Sequence, residues 1–241
     1  MGWLGRWVVM LYSTVFCIGC ASGGQGNVKF HSESIVFNGE SRPYAVYTPS
    51  DYDPQKPYPT ILFLHGLFEG GSDGVSMTRV GIGPAIQKNP ERWNCVVIMP
   101  QTPSNWQKPE SVELASAVLE DAQKKYSIDS RRIVVTGLSN GGAGAWLLGA
   151  RYPGRFAGLA PLCAFAEYEA VPQLTHVPVW AFHNSSDWVV SSNDSRNMVE
   201  KINQAGGNAT VTIYGGFSHD CWTKTYSNPE VVQWLQNPTR K

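Results

Sequence analysis

Residues 134–146 read VVTGLSNGGAGAW. A β-branched apolar run meets Gly137, turns at Ser139 and enters a segment dense in glycine and alanine. With Arg132 and Ile133 the run reads as a buried strand, and the following GAGAWLLGARY suits a helix. Gly137-Leu138-Ser139-Asn140-Gly141 matches G-x-S-x-G in the strand–turn–helix setting that a nucleophile elbow requires. There the serine takes strained backbone angles, and glycines two residues to either side let strand and helix approach closely. The helix N-terminus places partial positive charge beside the serine oxygen. A plain helix N-cap would also favour serine, but it would not require Gly137 and Gly141 together.

Outward from this stretch, strand-like and helix-like segments alternate. YAVYTP, TILFLHG, CVVIMP, RIVVTG, FAGLAPL, VPVWAFHN and ATVTIYG are short apolar runs closed by Gly, Pro or Asn, and they read as buried strands. In PESVELASAVLEDAQKKYSID, Val112, Ala115, Leu119, Ala122 and Tyr126 recur at helical spacing, and Pro109 with Glu110 suits a helix start. This alternation predicts an α/β fold with a mostly parallel central sheet and helices on both faces. VKFHSESIVFNGE and SRPYAVYTP have no helix between them and predict an antiparallel N-terminal edge. No insertion is long enough for a large cap domain, so the site should be open.

The 241 residues are 42% hydrophobic, enough to bury a full core in one domain. Lysine plus arginine equals aspartate plus glutamate at 19 each, and neither sign forms a block. Charge therefore gives no case for nucleic acid or an anionic surface as partner. Residues 1–20 carry Arg6 and then an uncharged apolar run from Trp7 to Gly19. That run is shorter than the roughly 20 residues of a membrane span and has the size of a signal-peptide core. Cys17-Ile18-Gly19-Cys20 resembles a lipobox, making Cys20 a candidate lipidation site, although Cys17 stands where leucine is usual. Cleavage after Ala21 is the alternative. The expectation is an exported chain, periplasmic or anchored as a membrane lipoprotein, alternatively secreted. Its parts are a signal peptide over 1–20, a flexible tether over 21–27 and a catalytic domain over 28–241. Cys95 reads as a core residue, while Cys163 and Cys221 could lie near one end of the sheet and bridge.

A nucleophilic serine needs a base, and the base needs an orienting acid. On a sheet of this kind the acid and then the base follow the serine along the chain. Of the downstream histidines, His176 lies at a strand entrance, the wrong end. His183 closes a strand and is read as holding the loop that follows. His219, in YGGFSHDCW, follows the last strand, where the general base belongs. Asp187, in HNSSDWVV, is the acid, since Asp194 reads as a helix-start residue and Asp220 adjoins His219 too closely to orient its ring. The catalytic set is thus Ser139, Asp187 and His219. In ILFLHGLFEGG an extended run ends at His65-Gly66, so the backbone N–H groups of Leu67 and Asn140 are the candidate oxyanion hole. His65 is read as shaping that loop.

FLHGLFEGG, IMPQTPSNW, KKYSIDSRRIVVTGLSNGGAGAW, YPGRFAGLAPLC, VPVWAFHNSSDWVV and SHDCWTKTYSNPEVVQWL together resemble the α/β-hydrolase superfamily. Within it they look like exported bacterial esterases related to polyhydroxybutyrate depolymerases, feruloyl esterases and "predicted peptidases". The likeness covers about residues 40–237. It implies a carboxylic-ester hydrolase with no cofactor and no metal, using Ser139, Asp187 and His219 on a small-molecule or polysaccharide-linked ester. Trp106 matches a tryptophan frequent near the pocket of such enzymes, which makes it a candidate substrate contact; the other reading is a loop aromatic packed on the core. The chain has Asn184 where glycine is usual and Ser191 where proline is common. The rival functions are a serine peptidase with the same triad and a non-catalytic envelope binding protein on the same scaffold.

Overall fold

The computed structural model describes residues 28–238. The expected signal peptide, Cys20 and the 21–27 tether lie outside the described residues. Among those described, the strands are β1 (Phe30–Phe37), β2 (Glu40–Tyr47), β3 (Tyr58–Leu64), β4 (Val96–Pro100), β5 (Ile128–Leu138), β6 (Gly158–Leu162), β7 (Val179–Asn184) and β8 (Ala209–Tyr214). The helices are α1 (Ile82–Lys88), α2 (Pro109–Lys125), α3 (Asn140–Arg151), α4 (Ser192–Gln204), α5 (Trp222–Ser227) and α6 (Pro229–Gln236).

The strands form one sheet in the order β1-β2-β4-β3-β5-β6-β7-β8. Strand β2 runs antiparallel to both β1 and β4, and the remaining pairs are parallel. This is the mostly parallel α/β sheet that the sequence pattern implies, antiparallel edge included, and the architecture that the resemblance to α/β-hydrolases implies. One departure is the length of β5, which begins at Ile128 rather than Arg132. Asp129 bonds Arg131 and Arg132 at this entry, a local pairing that apolar patterning does not register.

Side chains alternate across the sheet and feed two cores. Leu62 and Leu64 of β3 pack with Val118 of α2, Trp146 of α3 and Met198 of α4. Ile61 and Phe63 of the same strand pack on the other face with Ile82 of α1, Tyr226 of α5 and Leu235 of α6. Burial on both faces explains why the central strands read as unbroken apolar runs rather than alternating ones.

The strand order positions the site. From β3 the chain steps outward to β4, then crosses back to β5 on the opposite side and continues to β6, β7 and β8. The loops after β3 and β5 therefore diverge, leaving a crevice at the carboxyl ends of the strands, where ligands bind in open α/β sheets. Leu67 and Ser139 lie on those two loops. Phe63 anchors this region from below: it is fully buried and meets Tyr226 edge-on, with ring centroids 6.1 Å apart. Phe63→Ala is expected to cost about 3–5 kcal/mol, measured as a lower urea midpoint at unchanged slope; a loss under about 1 kcal/mol contradicts this packing.

Candidate active site

Ser139 stands between β5 and α3 with φ 54° and ψ −117°, a positive φ that non-glycine residues rarely adopt. Its side chain makes no capping bond to the helix, so the N-cap reading does not describe it. Its backbone N–H donates to Leu162 O at 2.8 Å, and its carbonyl accepts from Gly142 N at 2.9 Å. The flanking glycines permit the turn. A Cβ on Gly137 would lie 2.4 Å from Gly141 O, and one on Gly141 would lie 2.1 Å from Leu64 O and 2.4 Å from His65 O.

Asp187 and His219 come together on the loops after β7 and β8. His219 Nδ1 lies 2.6 Å from Asp187 Oδ2. The same oxygen is 3.3 Å from His183 Nε2, while Asp187 Oδ1 accepts from the backbone N–H groups of Val189 (2.8 Å) and Val190 (3.1 Å). The buried carboxylate thus has donors on both oxygens, which hold it as an acceptor for the imidazole. With Nδ1–H committed to Asp187, the neutral imidazole has its lone pair on Nε2. That atom is buried and has no hydrogen-bond partner among the described residues. The ring is held edge-on against Trp222 at 5.6 Å.

The other candidates fall where the sequence reading puts them. His183 spans Ser195 Oγ (2.7 Å) and Val190 O (3.1 Å), bracing the acid loop, and burial lowers its pKa. Asp194 sits in the first turn of α4 and accepts from Ala166 N. Asp220 turns away to bond the backbone and hydroxyl of Thr223, each at 2.8 Å. His176 is exposed at the entrance of β7.

The proposed oxyanion donors each begin a helical turn, Leu67 a short 3-10 segment and Asn140 helix α3. A first-turn N–H has no partner inside its own helix and is free to face an anion. His65 Nε2 accepts from Thr102 N at 3.2 Å, so its Nδ1 carries the proton and donates to Gly66 O at 2.6 Å. Gly66 O belongs to the same peptide unit as the Leu67 N–H; this bond fixes that plane and polarises that donor.

Trp106 requires a correction as a candidate substrate contact, because it is fully buried and offers no face to a substrate. Its indole N–H donates to His65 O at 2.9 Å, and its backbone N–H donates to Asn140 Oδ1 at 2.8 Å. It ties the loop after β3 to the start of α3. The Cys163–Cys221 bridge is also absent: both are buried free thiols. Cys163, whose site role the sequence reading missed, has φ 42°, and its sulfur shares a 4.8 Å cluster with ligand atoms of Asp187 and His219. The Ser139 N–H lies against that sulfur, and burial pushes the thiol pKa up. The left-handed turn after β6 brings this side chain to Asp187 and His219, and apolar patterning carries no sign of it.

The family model for esterases ("Putative esterase") matches residues 34–237. The chain belongs to this esterase family. A solved thermostable esterase is 29% identical and superposes with a TM-score of 0.78, over 86% of this chain and 62% of that one. A ferulic acid esterase (16% identical, TM-score 0.68, 86% and 98% covered) and the fluorophosphonate-binding serine hydrolase FphF of Staphylococcus aureus (15%, 0.69, 88% and 100%) share the fold. The bifunctional acetylxylan esterase/xylanase XynS20E of Neocallimastix patriciarum is 24% identical over 165 residues. That match takes in 64% of this chain but only 22% of the relative.

Burial lowers the His65 pKa to about 4, below the roughly 6.5 of a free imidazole. Between these values the unfolded chain binds the extra proton and the folded chain does not, so stability rises with pH across the window. Stability contributed by the neutral ring is full above about pH 6.5 and is lost as pH falls through about 4. The thermal midpoint is expected to drop as pH is lowered from 6.5 to 4, and His65→Gln should flatten part of that slope. An unchanged slope in the variant contradicts the assignment.

Proposed function

We propose that this chain is an exported serine hydrolase that cleaves neutral carboxylic esters through an acyl-enzyme on Ser139. The observation that carries the reading is the 2.6 Å contact of His219 Nδ1 with Asp187, on the loops that follow the strained Ser139 turn in space. In this mechanism His219 Nε2 takes the Ser139 proton as Oγ attacks the ester carbonyl. The oxyanion is received by the N–H groups of Leu67 and Asn140, each such donor being worth about 2.7–4 kcal/mol of barrier. As the tetrahedral intermediate collapses, His219 returns the proton to the departing alcohol. Water, deprotonated by the same imidazole, then attacks the acyl-enzyme and frees the acid. Asp187 holds the productive tautomer and balances the imidazolium.

The surroundings favour an apolar, uncharged substrate. Among the described residues, every large apolar side chain exposed at the surface, except Val36 on β1, lies on segments that follow β3, β6, β7 or β8. Phe68, Trp188 and Phe217 are 95%, 80% and 81% exposed, on the oxyanion, acid and base loops respectively. Small apolar esters and esters carried on neutral polysaccharides fit such a rim. Lipidation at Cys20 would hold the enzyme at a membrane.

Ser139→Ala is expected to lower kcat on p-nitrophenyl acetate by about 10⁴-fold or more while leaving the thermal midpoint within a few degrees. Retention of most of the hydrolysis overturns the reading. Hydrolysis of a peptide amide faster than of the aryl ester would instead support the peptidase alternative.

A further inference from the structure

Asn184 is the last residue of β7, 5% exposed and paired in register with Tyr214 of β8. Its side-chain nitrogen donates to Ser218 O at 2.7 Å and to Asp220 O at 3.1 Å. These two carbonyls belong to the residues immediately before and after His219. One primary amide has two N–H groups on a single nitrogen, and here both are spent bracketing the base. The orientation of the amide is unambiguous, since its nitrogen faces two acceptors.

Other bonds join the same two loops, and among the described residues one further contact reaches the end of the His219 segment from β7, the weak bond of Cys221 Sγ to Phe182 O at 3.6 Å. Ser185 N donates to Tyr214 O at 2.7 Å and Ser186 N to Gly216 O at 3.0 Å, which align the loop stems. Beyond Gly216, which has φ 148°, the base loop leaves the sheet. It returns to regular structure only at α5, where Cys221 N bonds His219 O at 2.9 Å. The imidazole and the carboxylate that orients it therefore ride on different loops. A displacement between them of an ångström would break the 2.6 Å contact and could cost about 100-fold in rate.

The geometry points to Asn184 as the positioning residue for the catalytic base: its amide fixes the backbone on both sides of His219 against the end of the strand whose following loop carries Asp187. Asn184 touches neither reacting atoms nor substrate; it acts through His219. The inference rests on the esterase reading of this site. It predicts a defect in chemistry rather than in binding, and one that depends on His219 being present.

The test is a double-mutant cycle on p-nitrophenyl acetate. Asn184→Ala removes the amide, and Asn184→Asp keeps its size while turning the donor face into an acceptor. Each is expected to lower kcat and kcat/KM together by about 10-fold or more, with KM within twofold. In a His219→Ala background, Asn184→Ala should leave the residual hydrolysis unchanged, because nothing remains for the amide to position. The inference is overturned by wild-type kcat in folded variants, by a loss confined to KM, or by an equal loss in the His219→Ala background. In wild-type protein the Asn184 amide protons should exchange slowly with solvent by NMR, a readout that does not depend on how the variants fold; free exchange overturns the inference. Loss of all activity dependence on Ser139 would instead remove the esterase reading.

Discussion

The contact that sets the rest of this structure is the approach of α3 to the ends of β3 and β5. At Gly141 the helix backbone lies so near Leu64 and His65 that a side chain there would sit 2.1 Å from a carbonyl oxygen. The helix can begin that close only if the chain reverses within one residue after β5, and Ser139 with φ 54° is that residue. Three consequences follow from this constraint. The Ser139 side chain is left without a capping role, the first N–H of α3 has no partner inside its own helix, and the loop after β3 is brought alongside it. The strain of the turn is held by close packing on every side rather than relieved.

Around this fixed point, most polar groups that would be costly to bury are given a partner. Trp106 links the loop after β3 to the start of α3 through His65 O and Asn140 Oδ1. The carboxylate of Asp187 is held by two backbone N–H groups besides His219, with the His183 ring 3.3 Å from it. Asn184 extends the same bracing to the loop that carries His219. Two buried side-chain nitrogens have no partner among the described residues: the indole N–H of Trp146, a donor, and His219 Nε2, an acceptor. An unpaired acceptor in that position is what a general base needs, since its lone pair must be available to the serine proton.

Much of this was legible in the sequence because it depends on periodicity and order. The apolar runs located the strands, the missing helix before YAVYTP gave the antiparallel edge, and Gly137 with Gly141 marked the close approach. Asp187 and His219 followed from their places after successive strands. What escaped depends on side-chain direction and loop path. Trp106 reads equally well as a pocket or a core residue until its indole is seen bonded to His65 O. Cys163 reaches Asp187 and His219 through a single positive φ, and bridge formation with Cys221 could not be decided from spacing. Asn184 and Ser191, the two departures from the usual loop, acquire distinct local roles: the first brackets His219, and the second caps α4 by accepting from Asn193 N.

In the proposed mechanism the strained turn presents Ser139, and no other serine, as the nucleophile. The most direct measurement of this is mass spectrometry of the protein after reaction with a fluorophosphonate, followed by proteolysis. The account predicts one equivalent of label, on the peptide containing Ser139, and none after Ser139→Ala. Label on a different serine, or fully active protein that takes up none, would contradict it.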